Sequence, residues 1–267
     1  MSSLHALASG SSGNAFLLRS RKTTLLFDAG LTLPRLQAAL RRDDVSVGQL
    51  SALLLSHEHR DHALSARDLA LLHDVPVWSN EAVLRSAGVH DLTQSAILPV
   101  GVPTLFGDVE ITTFKVSHDA SCPVGFLVKT DGKVIVIATD LGCESEDLCM
   151  LIQGGDLVVL EANHDTQLLR QSRYPAHLQR RVSGPTGHLS NVQSASILSR
   201  HIRNENASVW LAHLSRENNT PALALRTVQR ALRHAGLSHV AVDIALRDKP
   251  SMRWDTEPKP VQMRLFD

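Results

Sequence analysis

The sequence is poor in cysteine, which limits how its fold can be stabilised. Its 267 residues contain three cysteines, Cys122, Cys143 and Cys149, an odd number without C-x-x-C spacing. Disulfide frameworks and cysteine-rich zinc sites usually show paired or regularly spaced cysteines. We therefore expect three free thiols in a reducing compartment.

The chain also lacks net charge and long apolar runs. The 27 Lys and Arg residues balance 27 Asp and Glu residues, so any affinity for nucleic acid or an anionic membrane must come from a local patch. No stretch approaches the roughly 20 apolar residues of a membrane-spanning helix. The first residues lack the basic and apolar regions of a signal peptide. A cytoplasmic protein without a membrane partner is expected.

Histidine, in contrast, is abundant, and the densest group of the 14 histidines lies in residues 56–62. This stretch reads S-H-E-H-R-D-H and directly follows the apolar run 52–55. A buried strand that ends in such a group places the side chains at the carboxyl edge of a sheet, where open α/β sheets form their sites. Packing does not account for histidines at positions i, i+2 and i+5 around an aspartate. The stretch predicts a metal site.

Other apolar strands in the sequence also run into a residue that can bind metal. Each such residue alone fits a strand-end acid or a core histidine with a partner, but together they favour one convergent site. These residues are Asp28, His118, Asp140, Glu161 and His213.

The rest of the pattern predicts a single domain over residues 1–246. Short strands alternate with amphipathic helices, and the apolar run 134–138 predicts a strand covered on both faces. Ser190 and Gln193 fit a capping box, and Thr220-Pro221 predicts another helix start. Two packed sheets with helices outside are expected.

With its strand-end motifs in this order, the sequence resembles the metallo-β-lactamase-fold hydrolases over nearly its whole length. The resemblance implies an α+β fold, a four-layer αββα sandwich in which helices flank two mixed β-sheets. It also implies two divalent metal ions, Zn²⁺ or Mn²⁺, bridged by Asp140. The resemblance assigns His57, His59 and His118 to one ion and Asp61, His62 and His213 to the other. Asp28 and Glu161 would support the ligands from behind.

The residue at the fourth motif discriminates among members of this family. True two-zinc β-lactamases usually have cysteine there, whereas an aspartate such as Asp140 is typical of phosphodiesterases and thioester hydrolases. Residues 187–190 (G-H-L-S) resemble the motif that supplies a phosphate-binding histidine in the phosphodiesterase branch, which includes the tRNA 3′-processing nucleases. The predicted catalytic residues are His188, as proton donor or oxyanion stabiliser, and Asp61, which would orient the nucleophile. A solvated loop histidine is the alternative for His188.

Four longer motifs resemble the WalJ (YycJ) group of bacterial proteins within this family. They lie at residues 8–15, 160–165, 173–175 and 212–215. The group implies a 5′-to-3′ DNA exonuclease linked to DNA repair, in which a metal-activated hydroxide attacks the phosphodiester. Alternatives are a hydrolase of a small phosphodiester or thioester, and an RNA-processing nuclease. A clamp-tethered adaptor with a vestigial site is a non-enzymatic alternative, against which the complete ligand set argues.

A local arginine cluster at residues 170–181 is compatible with a nucleic-acid substrate, because arginine binds phosphate oxygens bidentately. A charged solvated loop would explain the cluster as well. The loop 9–14 could present backbone N–H groups to a phosphate, although a tight turn explains it nearly as well. The predicted substrate contacts are Ser11, Ser12, Asn14, His164, Arg173, Arg180 and Arg181.

The composition changes after residue 246, where the chain becomes polar and rich in proline. Residues 247–267 are expected to form a flexible tail. Gln262, Leu265 and Phe266 resemble the short peptide that bacterial replication and repair proteins insert into the DNA sliding clamp. The clamp is therefore a predicted partner besides DNA, and a terminal strand that docks on the domain is the alternative.

Overall fold

Two mixed seven-stranded sheets form the centre of the computed structural model, which describes residues 1–257. In the first sheet the order is β14-β1-β2-β3-β4-β5-β6, with β1 (Ser3–Ala8), β2 (Ala15–Arg19), β3 (Thr24–Phe27), β4 (Ala52–Leu54), β5 (Val77–Ser79), β6 (Ser95–Ile97) and β14 (Arg253–Asp255). In the second sheet the order is β13-β12-β11-β10-β9-β8-β7, with β7 (Thr104–Phe106), β8 (Val109–Lys115), β9 (Val124–Thr130), β10 (Lys133–Ala138), β11 (Leu157–Glu161), β12 (Ser208–Ala212) and β13 (Ala241–Ile244).

Helices connect the strands of both sheets. They are α1 (Leu33–Arg42), α2 (Arg60–Ala63), α3 (Ala66–His73), α4 (Glu81–Ser86), α5 (Glu146–Gly154), α6 (Thr166–Gln171), α7 (Ala176–Val182), α8 (Asn191–His201) and α9 (Pro221–His234). None of the helices in residues 1–257 combines the length and the apolar character needed to cross a membrane.

Three apolar clusters separate four layers. Phe16, Phe27 and Phe126 lie in the cluster between the two sheets. A second cluster joins the first sheet to α1, α3 and α4, and a third joins the second sheet to α5, α8 and α9. Because burial of apolar surface is the main favourable term in folding, each sheet is held on both faces. The predicted αββα sandwich is confirmed.

Several local predictions are also confirmed. Ser190 and Gln193 form a capping box at the start of α8. The Thr220 side chain accepts a hydrogen bond from the Leu223 amide, and Pro221 is the first residue of α9. The strand β10, predicted from the run 134–138, lies inside the second sheet between β9 and β11.

The prediction of a flexible tail from residue 247 is wrong for its first part. Strand β14 pairs antiparallel with β1, with Leu4 opposite Trp254. Met252 and Trp254 pack against the cluster between the sheets, which anchors this segment despite its polar neighbours. Met252 and Trp254 alternate with polar residues, which is the pattern of a strand, and the prediction of a flexible tail overlooked it. Gln262, Leu265 and Phe266 lie outside the described residues.

Candidate metal centre

Each candidate ligand lies at or just beyond the end of a strand, at one edge of the sandwich. In the first sheet, Asp28 follows β3 and His57 follows β4, which are parallel. In the second sheet, Asp140 follows β10, Glu161 ends β11 and His213 follows β12, and these strands are also parallel. Parallel strands bring their carboxyl ends to the same edge, so residues distant in sequence meet there.

The backbone turns sharply where three of these strands end. Asp28, Asp140 and His213 have φ values of 60°, 57° and 52°, in the left-handed region that non-glycine residues adopt uncommonly. Such conformations concentrate at functional sites, where the surrounding structure holds them. The turns direct these three side chains toward one another.

Two groups of side chains are close enough to hold a metal ion. His57, His59 and His118 form the histidine set, and Asp61, His62, Asp140 and His213 form the mixed set. In each set the ligand atoms lie within 4.8 Å of one another.

Asp140 lies between the two sets. One of its carboxylate oxygens is 3.7 Å from His118 Nε2 in the histidine set. The other is 2.9 Å from His62 Nε2 and 3.2 Å from His213 Nδ1 in the mixed set. A carboxylate with one oxygen toward each set is placed to bridge two ions.

The hydrogen bonding of the ligands fits metal binding. Nε2 of His57 and Oδ2 of Asp140 are buried and have no hydrogen-bond partner of suitable geometry among residues 1–257. Buried polar atoms without a partner are costly, and cations bound by the two sets would remove that cost. The histidine and carboxylate donors fit a divalent ion such as zinc or manganese.

Supporting residues fix the orientation of the ligands. Asp28 accepts hydrogen bonds from the Ser56 amide at 2.8 Å and from its hydroxyl at 2.9 Å, and lies 2.7 Å from His62 Nδ1. His118 Nδ1 donates a hydrogen bond to the Gly187 carbonyl oxygen at 3.0 Å. Each contact leaves Nε2 of the histidine directed toward the ligand set, as the outer partners of metal-binding histidines do.

Glu161 supports the centre from behind and is fully buried. One of its oxygens is 2.8 Å from His188 Nδ1. The other accepts hydrogen bonds from the amides of Leu141, at 3.0 Å, and Leu189, at 3.1 Å. The loop after Asp140 and the loop of His188 are therefore held by one carboxylate.

Burial and neighbouring charges shift the pKa values in the centre. Burial lowers the pKa of His57 well below its ordinary value and also lowers the pKa of His118, so both rings are neutral and able to bind metal. Burial opposes the charge of Asp140, but His213 and His62 outweigh it and hold the pKa of this carboxyl well below its usual range. Burial by itself would lower the pKa of His188. The neighbouring carboxylates, chiefly Glu161, outweigh burial and raise this pKa to about 9.

The ligand sets open into a cavity of about 220 Å³, the metal cavity. The side chains of His59, Asp61, His118, Asp140, His188 and His213 line it. Ser11 and Arg181, whose predicted role as substrate contacts stays a prediction, also line it, together with Asp119. Arg181 Nε donates a hydrogen bond of 2.6 Å to Asp119.

The other predicted substrate contacts lie elsewhere. Asn14 is fully buried, accepts a hydrogen bond from the Gly10 amide and donates one to the Asp61 carbonyl, so the prediction of a substrate contact is wrong for this residue. Ser12 donates to Asp248 and does not line the metal cavity. His164 and Arg180 line a second cavity, and the exposed Arg173 lines neither.

The sequence reasoning also missed residues that the centre needs. A Cβ on Gly30 would lie 1.7 Å from the Asp61 carbonyl oxygen, so only glycine fits behind the histidine loop at this point. Asp119 was missed although it follows His118 directly, because one acidic residue in a loop has no distinguishing pattern.

Comparison with known proteins agrees with this geometry. The family described as the metallo-beta-lactamase superfamily matches residues 8–188. The chain belongs to the metallo-beta-lactamase superfamily. It is an enzyme of this superfamily of metal-dependent hydrolases, and its ligand sets fit the use of a divalent metal.

Two relatives are similar over most of their length. The chain is 36% identical over 248 residues to a protein named exodeoxyribonuclease WalJ from Streptococcus pneumoniae, which covers 91% of this chain and 92% of the relative. It is 35% identical over 234 residues to exodeoxyribonuclease YycJ from Bacillus anthracis, with 86% and 89% covered. The resemblance to the WalJ (YycJ) group is thereby confirmed.

A solved structure shares the fold. The metallo-beta-lactamase fold protein YhfI from Bacillus subtilis superposes with a TM-score of 0.73 over 96% of this chain and 100% of its own, at 16% identity. The overall fold of the chain is thus that of a solved structure.

Proposed function

We propose that this chain is a dinuclear-metal phosphodiesterase that degrades DNA in the 5′-to-3′ direction and serves DNA repair in the cytoplasm. The observation that carries the proposal is the pair of ligand sets that meet at Asp140 inside one polar cavity. The names of the two relatives, both exodeoxyribonucleases at 35–36% identity, support DNA as the substrate.

In this proposal the histidine set would hold one ion, and the mixed set, which includes Asp140, would hold the other. When bound, such ions lower the pKa of a coordinated water and stabilise negative charge on phosphate oxygens. Asp61, whose side chain is 26% exposed, reaches the cavity and would orient the attacking water through its carboxylate.

His188 is the proposed general acid. Its raised pKa of about 9 keeps the imidazole protonated at neutral pH, and Glu161 fixes the Nδ1 side of the ring. Because the ring lines the metal cavity, it can donate a proton to the leaving oxygen or stabilise charge on the phosphate.

Residues at the cavity mouth would position the DNA strand. Arg181 has 61% of its side chain exposed and lines the cavity, which suits contact with a backbone phosphate. Ser11 lines the same cavity and can add a hydroxyl or amide donor. Arg173 and Arg180 are proposed to contact phosphates further from the metals.

The proposed link to the sliding clamp rests on the sequence pattern of Gln262, Leu265 and Phe266 alone. Full-length protein should bind the purified clamp, and Phe266→Ala should abolish that binding if the aromatic side chain fills the apolar pocket. Fluorescence anisotropy with a peptide of residues 258–267 measures it directly. Absence of binding at tens of micromolar would exclude the clamp as a partner.

The function is tested by an assay of metal-reconstituted protein on end-labelled single- and double-stranded DNA. We expect progressive release of nucleotides from the 5′ end, two ions per chain by mass spectrometry, and no cleavage by Asp140→Asn. Hydrolysis of a small chromogenic phosphodiester without DNA cleavage would instead support a small-molecule phosphodiesterase.

A further inference from the structure

A second cavity lies between α6 and α7. Its volume is about 270 Å³, larger than the 220 Å³ of the metal cavity. Its polar lining consists of His164, Thr166, Arg170, Gln179, Arg180 and Ser183. Within residues 1–257 no Asp or Glu side chain lines it, so the charge that these residues give it comes from the two arginines. We call it the α6–α7 cavity.

His164 makes the α6–α7 cavity unusual among surface clefts. Only 1% of this residue is exposed, yet its Nδ1 has no hydrogen-bond partner in residues 1–257. Burial lowers the pKa of His164 to about 4, so the ring is neutral at physiological pH and can act as donor or acceptor. A buried polar group that lacks a partner in the protein is expected to find one in a ligand or an ordered water.

The two arginines are also available to a ligand. Within residues 1–257, neither Arg170 nor Arg180 has a carboxylate oxygen within the 4.0 Å of a salt bridge. In contrast, Arg181 pairs with Asp119 and Arg200 pairs with Glu144. Two unpaired guanidinium groups beside a neutral imidazole form a site for an anion, and a guanidinium matches phosphate geometry bidentately.

The α6–α7 cavity adjoins the metal cavity. Arg181 and Val182 of α7 line the metal cavity, whereas Arg180 and Ser183 line the α6–α7 cavity. On the other side, the His164 carbonyl accepts a hydrogen bond from the Asn191 amide at 2.8 Å, three residues after His188. Both cavities therefore flank the C-terminal end of α7, within reach of one DNA strand.

We propose that the α6–α7 cavity binds the 5′-terminal phosphate monoester of a DNA strand while a phosphodiester of that strand lies in the metal cavity. This inference rests on the proposed exonuclease function and explains the direction of digestion. A terminal monoester carries a charge of roughly −1.5 to −2 at neutral pH, which two arginines neutralise, whereas an internal diester carries a single charge. The monoester also offers three free oxygens to the arginines and to His164.

The test compares two oligonucleotides that differ only in a 5′-phosphate or a 5′-hydroxyl group, with phosphorothioate linkages that resist cleavage. Their affinities for the metal-loaded full chain are measured by fluorescence anisotropy. We expect the phosphorylated strand to bind about tenfold tighter, in the range of charge-assisted hydrogen bonds. The variant with Arg170→Gln and Arg180→Gln should lose this preference and bind the two strands with about equal affinity. Arg230→Gln, an exposed position on α9, should keep it.

Metal content and melting temperature show whether the double variant has folded. If it has not, each single substitution should reduce the preference by itself. Equal affinity of the wild type for both strands, or equal weakening of both strands by the variant, would overturn the assignment, because the arginines would then contact the internal backbone only. Cleavage of DNA regardless of its 5′ group would leave the exonuclease proposal standing without this cavity. A preference for the 5′-phosphate strand without any cleavage would support phosphate binding in the α6–α7 cavity and contradict the exonuclease proposal.

Discussion

The two ligand sets of the metal centre differ in charge and in support. The histidine set contains no carboxylate, and its His59 is partly exposed at the cavity. The mixed set contains two carboxylates, has three buried members, and lies against Asp28 and Asn14. Since carboxylates neutralise the charge of a cation and rigid outer partners favour binding, the mixed set should hold its ion more tightly. Both sets line the metal cavity, the histidine set through His59 and His118.

Asp140→Asn tests the residue that the two sets share and should have the largest effect. Asparagine has nearly the same shape and tolerates the positive φ of this position, so the fold should persist while the bridging charge is lost. We expect hydrolysis to fall by on the order of 10³-fold or more, equal to about 4 kcal/mol of transition-state stabilisation. Steady-state kinetics and metal analysis measure it.

His59→Ala is the matched comparison, because it removes one ligand from the histidine set alone. It should also abolish hydrolysis, but the protein should retain the ion of the mixed set. Wild-type turnover in either variant would rule out the two-metal account.

Gly30→Ala tests the backbone packing behind the mixed set. The added methyl group would lie 1.7 Å from the Asp61 carbonyl oxygen and 2.8 Å from the Asn14 amide, and neither main-chain atom can move away easily. We expect a loss of about 2–3 kcal/mol in the free energy of unfolding, as for other overpacked sites, measured by urea denaturation. Gly48→Ala is the control, since a methyl group added there would have no neighbouring atom within 4 Å. Similar stability of the two variants would contradict the close approach.

The sequence predicted the metal ligands for two different reasons, and each reason contributes to both sets. H-x-H-x-D-H is contiguous, so its chemistry can be recognised without any knowledge of the fold. Asp140 and His213 required the rule that parallel strands end at one edge. Asn14 was assigned wrongly because its loop resembles a phosphate-binding turn, and only the packed structure places its side chain against His62. The positive φ values of Asp28, Asp140 and His213 were not predicted, since they occur at strand ends, where the surrounding structure holds them.

Asp28→Asn tests whether the contact of Asp28 with His62, rather than the number of ligands, gives the mixed set its tighter metal binding. The substitution preserves shape but removes the charge that holds the proton on His62 Nδ1, at 2.7 Å. Loss of such a partner typically costs about 10- to 100-fold in metal affinity or activity. Chelator titration should show weaker retention of the ion in the mixed set. Unchanged release would mean that the ligands alone determine its affinity.

The histidine set has no comparable carboxylate, since His118 is held by the Gly187 carbonyl. Its distinguishing neighbour is Asp119, which lines the metal cavity, lies 3.4 Å from His118 Nε2 and pairs with Arg181.

Arg181→Gln should therefore affect DNA binding more than metal binding, and its effect should be the smallest of those considered. Removing one phosphate contact weakens binding uniformly across sequences and lowers the slope of log affinity against log salt by about 1. Arg230→Gln, remote on α9, should leave the slope unchanged. Anisotropy titrations at several salt concentrations give both slopes, and metal content should equal that of the wild type. An unaltered slope in Arg181→Gln would mean that the exposed guanidinium serves only to hold Asp119, and the substrate side would then have to be sought at the arginines of the α6–α7 cavity.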